Sequence, residues 1–328
     1  MIEINHLVKK YGQNYALNDI SFSVKEGEVV GFLGPNGAGK TTTMNILTGY
    51  LSATSGSAKI AGIDILDNPM EAKKHIGFLP EHPPLYLDMT VKEYLNFVYN
   101  LKKCTLNRKA HLSEICSVIR IEDVYKRPIG HLSKGYRQRV GIAQALIGNP
   151  DVLIFDEPTV GLDPTQIIEI RNLITNLGKK HTIILSSHIL PEVQSVCGRV
   201  VIINKGKIVA DAKTGELNVL TGERKLLAKI TGQPAEIRRM LSAIPGVVQC
   251  ECLEQRDGDA YTYLIESQND VDIRKMLFRR VAESGQFLIG MEPVGANLED
   301  VFIALTGAPN AAGTASNSAE TANEGGER

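Results

Sequence analysis

Residues 29–47 join a short apolar run to a glycine-rich loop and then to a helical pattern, with no break between them. The run VVGFL has the unbroken hydrophobicity of a strand that is buried on both faces of a sheet. After the loop, Met44, Ile46 and Leu47 recur at helical spacing. Further strands alternate with helices along the chain. This order predicts an α/β fold built on a parallel sheet.

The loop between the strand and the helix has the spacing G-x-x-x-x-G-K-T of a phosphate-binding loop. Glycines allow backbone N–H groups to turn inward around phosphate oxygens, and the helix N-terminus adds partial positive charge. The lysine can reach the β- and γ-phosphates, and the threonine hydroxyl that follows it suits Mg²⁺. The loop is therefore predicted to bind a nucleotide rather than only to connect two elements. Its residues are Gly34, Pro35, Asn36, Gly37, Ala38, Gly39, Lys40, Thr41 and Thr42.

A second buried strand, residues 152–155, ends in the carboxylates Asp156 and Glu157. Asp156 would complete the Mg²⁺ shell begun by Thr41. Glu157, one step further, points elsewhere and can activate an attacking water. On its own such a pair fits two solvated carboxylates at a strand end equally well. Together with the phosphate loop it predicts a hydrolytic site.

The pattern of predicted strands and helices divides the chain into two predicted domains and a tail. Residues 1–218 form a nucleotide-binding domain, into which a helical subdomain is inserted at about residues 82–150. Residues 222–306 have the order β-α-β-β-α-β of a small α+β ferredoxin-like unit. Residues 307–328 carry almost no bulky apolar groups and are predicted to be disordered.

Composition restricts the environment and the partners. With 36 basic and 37 acidic residues, the chain has no global charge that favours nucleic acid, so no nucleic-acid partner is expected. No run of about 18 apolar residues is present, and the N-terminus lacks the apolar core of a signal peptide, so any membrane role is expected to require a partner. The five cysteines suit a reducing cytosol. Cys250 and Cys252 are expected to be core residues on one strand face rather than metal ligands.

Residues 132–139, LSKGYRQR, resemble the signature motif of ATP-binding cassette (ABC) ATPases. The phosphate loop, Asp156-Glu157, Gly161-Leu162-Asp163 and His188 stand in the order of that family. The resemblance covers residues 1 to about 215 and is to the nucleotide-binding subunit of a bacterial ABC-2 type exporter. It implies a P-loop ABC-ATPase domain with ATP and Mg²⁺ as cofactors. The segment LEDVFIALTG near the C-terminus is similar, more weakly, to an extension of that subclass.

The resemblance also implies roles for single residues, each with a plainer alternative. Tyr11 would stack on adenine, or it is only a strand-end tyrosine. Ser133 and Gly135 would contact the γ-phosphate bound to a second subunit, or Ser133 is only a helix cap. His188 would orient the water and the γ-phosphate, or it is structural. Asp163 would lie at the dimer interface.

Three positions depart from the family pattern. Glu81 stands where the family usually has glutamine, but a carboxylate oxygen can still bind Mg²⁺ or its water. Lys134 and Tyr136 replace the usual glycine and glutamine of the signature. Activity is expected to persist, because Ser133 and Gly135 remain.

The resemblance implies two partners: a second copy of the chain, packed head to tail, and a separate integral-membrane permease. Residues 81–90 would face the permease, at the cytoplasmic face of the membrane. One alternative is a soluble ABC ATPase of chromosomes or DNA repair, but the interval from Lys40 to Ser133 has no sustained heptads and no C-x-x-C. Another is that residues 224–306 form a regulatory or dimerisation module.

Overall fold

The computed structural model describes residues 1–214, 224–268 and 271–294, which belong to two units, Met1–Glu216 and Leu217–Arg328. The predicted boundaries at residues 218 and 222, the segment LEDVFIALTG and the predicted tail lie outside the described residues. In the parts of the chain that are described, no helix is both long enough and apolar enough to cross a bilayer.

The first unit contains two sheets and the helices that cover them. Its strands are β1 (Ile2–Tyr11), β2 (Asn14–Val24), β3 (Val29–Leu33), β4 (Ser55–Ile60), β5 (Ile63–Asp64), β6 (Ile76–Leu79), β7 (Val152–Asp156), β8 (Thr182–Ser187), β9 (Arg199–Asn204) and β10 (Lys207–Lys213). Its α-helices are α1 (Lys40–Leu47), α2 (Pro69–Ala72), α3 (Val91–Leu101), α4 (Arg108–Ile119), α5 (Lys134–Leu146), α6 (Pro164–Leu177) and α7 (Leu190–Val196). Short 3-10 turns span Lys73–His75, Glu122–Val124 and Ile129–His131.

The larger sheet has six strands in the order β10-β9-β3-β8-β7-β6. All neighbouring pairs are parallel except β10 with β9. The predicted parallel sheet is therefore confirmed. The phosphate loop follows β3, and the Asp156-Glu157 pair stands at the end of β7. Because parallel strands end at one edge, these segments share the same edge of the sheet.

The N-terminal strands form a separate antiparallel sheet in the order β2-β1-β4-β5. Along β2, the buried side chains Ile20, Phe22 and Val24 alternate with exposed ones, so one face lies on a core. Phe22 stacks on Phe32 of β3 with ring centroids 5.3 Å apart. The two sheets thus enclose one hydrophobic core.

The helical insertion is built from well-capped helices. Thr90 and Glu93 form a capping box at the start of α3, and Asn107 caps α4. Helix α3 buries Val91, Tyr94, Leu95 and Val98, which recur at helical spacing along one face. The Tyr94 hydroxyl donates to Gln144 of α5, which fastens α3 to the helix that begins at the signature motif.

The second unit has the predicted β-α-β-β-α-β order. Its elements are β11 (Arg224–Thr231), α8 (Pro234–Ser242), β12 (Val247–Asp257), β13 (Ala260–Ser267), α9 (Arg274–Glu283) and β14 (Leu288–Val294). The strands form one antiparallel sheet in the order β12-β13-β11-β14, the ferredoxin-like arrangement. Leu241 of α8 and Leu277 of α9 pack into its core. Cys250 belongs to that core and Cys252 packs against it, as expected.

Gly77 allows β6 to approach α5 closely, because a β-carbon there would overlap the carbonyl oxygen of Ala145. We predict that Gly77→Ala lowers the free energy of unfolding of the first unit by about 1–3 kcal/mol, the usual cost of overpacking. Urea denaturation followed by circular dichroism measures the change. Gly198→Ala is the matched control, since a β-carbon at Gly198 meets nothing within 4 Å. Equal unfolding midpoints for the two variants would contradict the packing argument.

Candidate functional site

A cavity of about 390 Å³ lies over the glycine-rich loop, where the central strands of the six-stranded sheet end. It brings together the loop, Glu81, Glu157 and His188, all of which the sequence singles out. Two further lining residues, Ala16 of β2 and Val160, carry no motif that identifies them. The lining residues are Ala16, Asn36, Gly37, Gly39, Lys40, Thr41, Thr42, Glu81, Glu157, Val160 and His188.

The loop is held in shape by close backbone contacts. Gly39 has φ +112°, in the left-handed region, and a β-carbon there would lie 2.7 Å from the carbonyl oxygen of Ala16. Only glycine satisfies both conditions. The Gly206 amide donates to the Ala38 carbonyl at 2.9 Å. Helix α1 then begins at Lys40, so its N-terminal amides adjoin the cavity.

Lys40 is buried, and its ammonium group is held by the carbonyl oxygens of Gly34 and Pro35 and by the carboxylate of Glu157. Its Nζ donates to the Gly34 carbonyl at 2.8 Å and lies 3.4 Å from Glu157 Oε1. The Gly34 carbonyl belongs to the loop itself, whereas Glu157 follows β7. A phosphate bound in the loop would compete with these oxygens for the ammonium group.

Asp156 carries its carboxylate almost out of contact with solvent, at 2% exposure. Burial raises the pKa of Asp156. Hydrogen bonds from the Ser186 and Thr41 hydroxyls act against that shift, while the carboxylates of Glu157 and Glu81 add to it. Asp156 does not itself line the cavity, but Thr41, which does, donates to it, so carboxylates are concentrated beside the cavity.

Glu157 is fixed from several sides. It has φ +49°, a strained conformation for a residue with a side chain. Its amide donates to the Ser186 hydroxyl oxygen at 3.1 Å. Its Oε2 accepts a hydrogen bond from His188 Nδ1 at 2.9 Å, because a carboxylate can only accept. The second ring nitrogen of His188, Nε2, is then left for other partners.

The donor set around Asp156 suits Mg²⁺. Thr41, Glu81 and Asp156 offer hydroxyl and carboxylate oxygens, which hard cations prefer. Within the described residues, no group of three His, Cys, Asp or Glu side chains is arranged to hold a metal by itself. Mg²⁺ at such sites takes its remaining ligands from nucleotide phosphates and water.

The signature residues lie outside this cavity. Ser133 caps α5, and its hydroxyl oxygen accepts from the Tyr136 amide at 3.3 Å. Gly135 is buried, and a β-carbon there would press on the Gln166 side chain. The Lys134 ammonium group lies against Gly161, and a β-carbon on that glycine would collide with it. The Tyr136 hydroxyl donates to Asp123 at 2.7 Å.

Two other predicted residues also lie away from the cavity lining. Tyr11 ends β1 with 53% of its surface exposed, and the Lys9 ammonium group lies 5.2 Å from its ring centroid. Asp163 caps α6 by accepting from the Gln166 amide at 2.9 Å. About half of the Tyr11 side chain is therefore exposed, with Lys9 over its ring, and Asp163 has a structural contact of its own.

Comparison with known proteins agrees with this geometry. The family model described as ABC transporter matches residues 17–160. The bacitracin transport ATP-binding protein BcrA of Bacillus licheniformis is 39% identical over 213 residues, which cover 64% of this chain and 69% of BcrA. The Nod factor export ATP-binding protein I of Burkholderia orbicola is 30% identical over 308 residues, 93% of this chain and 97% of that protein.

Two solved structures of one related cassette show a dimer and a post-hydrolysis state. A dimeric bacterial ABC transporter cassette has a TM-score of 0.60 at 27% identity, over 65% of this chain and 99% of the cassette. The same cassette has been solved as a dimer in a post-hydrolysis state with ADP and Pi, with a TM-score of 0.60 at 26% identity and the same coverage. The present chain therefore belongs to the ATP-binding subunits of ABC transporters, a family of ATPases.

Proposed function

We propose that this chain hydrolyses ATP as a head-to-tail homodimer and thereby drives an ABC-2 type exporter through a separate integral-membrane permease. One observation carries the proposal: a single cavity joins the phosphate loop to Glu157 and His188, while Ser133 and Gly135 lie outside it. Ser133, which is exposed, is therefore accessible to the nucleotide of a second copy. The names of the two relatives, which specify bacitracin transport and Nod factor export, support transport as the outcome.

The nucleotide phosphates bind to the loop residues 34–42. Their charge draws the Lys40 ammonium group away from Glu157 Oε1, which lies 3.4 Å from it. Adenine stacks on the exposed ring of Tyr11. Thr41, Asp156 and Glu81 would hold Mg²⁺, which when bound would neutralise charge on the phosphates.

Glu157 accepts a proton from the attacking water once Lys40 has turned to the phosphates. His188 keeps the carboxylate in place through its Nδ1–H, and in that tautomer Nε2 can accept a hydrogen bond from the attacking water. Burial of Glu157 excludes competing water and strengthens these interactions.

The N-terminus of α5 completes the site of the other copy. Ser133 is the N-cap and Gly135 the second residue of a thirteen-residue helix whose N-terminal end attracts anions. Two cassettes packed head to tail would therefore bury two MgATP between them, with Asp163 at the interface. ATP binding closes this dimer, and hydrolysis with product release reopens it.

An exposed aromatic cluster at the edge of the helical insertion is the proposed contact for the permease. Tyr86 packs edge-on against Phe97, with centroids 5.4 Å apart, yet 54% of Tyr86 is exposed. Leu87 and Leu101 are also exposed. Such grouped apolar side chains are typical of protein contact sites. Contact here places the chain at the cytoplasmic face of the membrane.

We predict that Glu157→Gln binds ATP, forms a stable dimer with MgATP and hydrolyses about 100-fold or more slowly, because general-base catalysis alone contributes about 10²–10⁴. The amide keeps the size of the side chain and can still bond to His188. Size-exclusion chromatography with light scattering reports the dimer, and phosphate release reports the rate. Lys40→Ala is the contrasting variant and should lose nucleotide binding. Turnover at the wild-type rate in Glu157→Gln would overturn the assignment.

We predict that Asp156→Asn stabilises the protein in EDTA without nucleotide at pH 7.5. The folded pKa of Asp156 is raised above 3.8, so the folded protein holds this proton more tightly than the unfolded chain. Stability is therefore lost as pH rises through the raised pKa, and the amide avoids that loss. The gain in thermal midpoint should shrink toward pH 4, and MgATP should stabilise only the wild type. Asp67→Asn, at an exposed carboxylate, is the control; a lower midpoint for Asp156→Asn at pH 7.5 would contradict the prediction.

We predict that tagged Glu157→Gln protein, captured from detergent-solubilised membranes with MgATP, brings a multispanning membrane protein with it. Adding Tyr86→Ser and Phe97→Ser should remove that protein while leaving ATP-dependent dimerisation intact. Tyr50→Ser, at another exposed tyrosine, should change neither result. A soluble homodimer with no membrane partner would instead favour a soluble ABC ATPase.

A further inference from the structure

A buried polar network lies just behind the proposed catalytic residues. The Thr159 hydroxyl donates to Glu192 Oε2, and both residues are only 4% exposed. Arg171 Nη2 lies 3.6 Å from the other oxygen, Oε1. None of the three lines the cavity that contains Lys40 and His188.

The network connects three segments that converge on that cavity. Thr159 stands two residues after Glu157, in the turn where the Val160 amide donates to the Glu157 carbonyl at 3.3 Å. Glu192 is the third residue of α7, which begins two residues after His188. Arg171 belongs to α6. One side-chain hydrogen bond thus ties the turn that follows Glu157 to the helix that follows His188.

Stability alone is a weak explanation for this arrangement. The free-energy cost of desolvating a buried carboxylate offsets most of the favourable interaction with a neighbouring guanidinium. The pairing is also incomplete, because Arg171 Nε is buried without a hydrogen-bond partner. A directed hydrogen bond, unlike apolar packing, fixes the relative position of the two groups that it joins.

We propose that Glu192 is a positioning residue for ATP hydrolysis. Through Thr159 it fixes the turn that carries Glu157 relative to the segment that carries His188, and so maintains their 2.9 Å contact. This inference rests on the proposed function, which assigns the water-activating role to Glu157.

Loss of this positioning is expected to affect the rate of hydrolysis and not the binding of ATP. The phosphate loop lies between β3 and α1, and no member of the network belongs to either element. Loss of the Thr159–Glu192 hydrogen bond should therefore lower kcat and leave the KM for ATP nearly unchanged. A displacement of about 1 Å at a reacting group costs up to about 100-fold in rate, so a 10- to 100-fold fall in kcat is expected.

The test compares variants of the full-length chain in steady-state ATP hydrolysis and in binding of a non-hydrolysable ATP analogue. Glu192→Ala removes the carboxylate that accepts the hydrogen bond. Thr159→Val removes only the hydroxyl, at nearly constant shape, and leaves Glu192 beside Arg171, so it keeps the test valid if Glu192→Ala fails to fold. Thr159→Ser restores the hydroxyl and should restore kcat. Gln194→Ala, at an exposed position on α7, is the control and should behave as wild type.

The double variant Thr159→Val with Glu192→Ala gives the sharpest result. If both changes break one hydrogen bond, the double variant is no slower than the slower single variant. The proposal would be overturned if the fall in kcat of the double variant equals the product of the falls in the two single variants. An unchanged kcat in Thr159→Val would also overturn it, as would a KM and an analogue affinity that change as much as kcat. His188→Ala and Glu157→Gln in the same assay keep the two ideas apart. If those two remain fully active the proposed function fails, whereas if they lose activity and Thr159→Val does not, only the role of Glu192 fails.

Discussion

Strand register is the constraint on which the site depends. In the parallel sheet, Leu33 of β3 pairs with Ser187 of β8, and Ser186 of β8 pairs with Asp156 of β7. The three strands therefore end level with one another. The residues that follow them, the phosphate loop, His188 and Glu157, meet without any long connection. A shift of one residue in either pairing would turn the side chains to the opposite faces and separate these groups.

The same edge of the sheet concentrates charge in a place that water reaches poorly. Lys40 is the cation that balances Glu157, while Asp156 has its pKa raised by burial and by two neighbouring carboxylates. Such a site gains more from a bound cation and a bound polyphosphate than an exposed site would, because the charges interact at low dielectric. Stability of the protein alone and affinity for its ligands are thus opposed at Asp156. That opposition is typical of sites that stabilise a charged transition state.

The sequence predicts features that depend on neighbouring residues and misses those that depend on distant ones. Local hydrophobic patterns and the order of predicted elements indicate the buried residues of α3, the cap at Ser133 and the strand order of the second unit. The separate N-terminal sheet does not, since alternation predicts strands but not which strands pair. Ala16 reaches the cavity only because Gly39 lets the loop approach β2. The hydrogen bond between Thr159 and Glu192 joins residues 33 apart, and no local spacing signals it. Roles that need a second copy, at Ser133 and Gly135, stay predictions.

The two departures in the signature show how a changed motif can be accommodated by local contacts. Tyr136 bonds to Asp123 and so attaches α5 to the turn before it, inside the helical insertion. Lys134 lies over Gly161, four residues after Glu157, and so attaches the start of α5 to the loop that follows β7. With glycine at position 134 this contact would be absent, so the lysine is accommodated by the space that Gly161 leaves open.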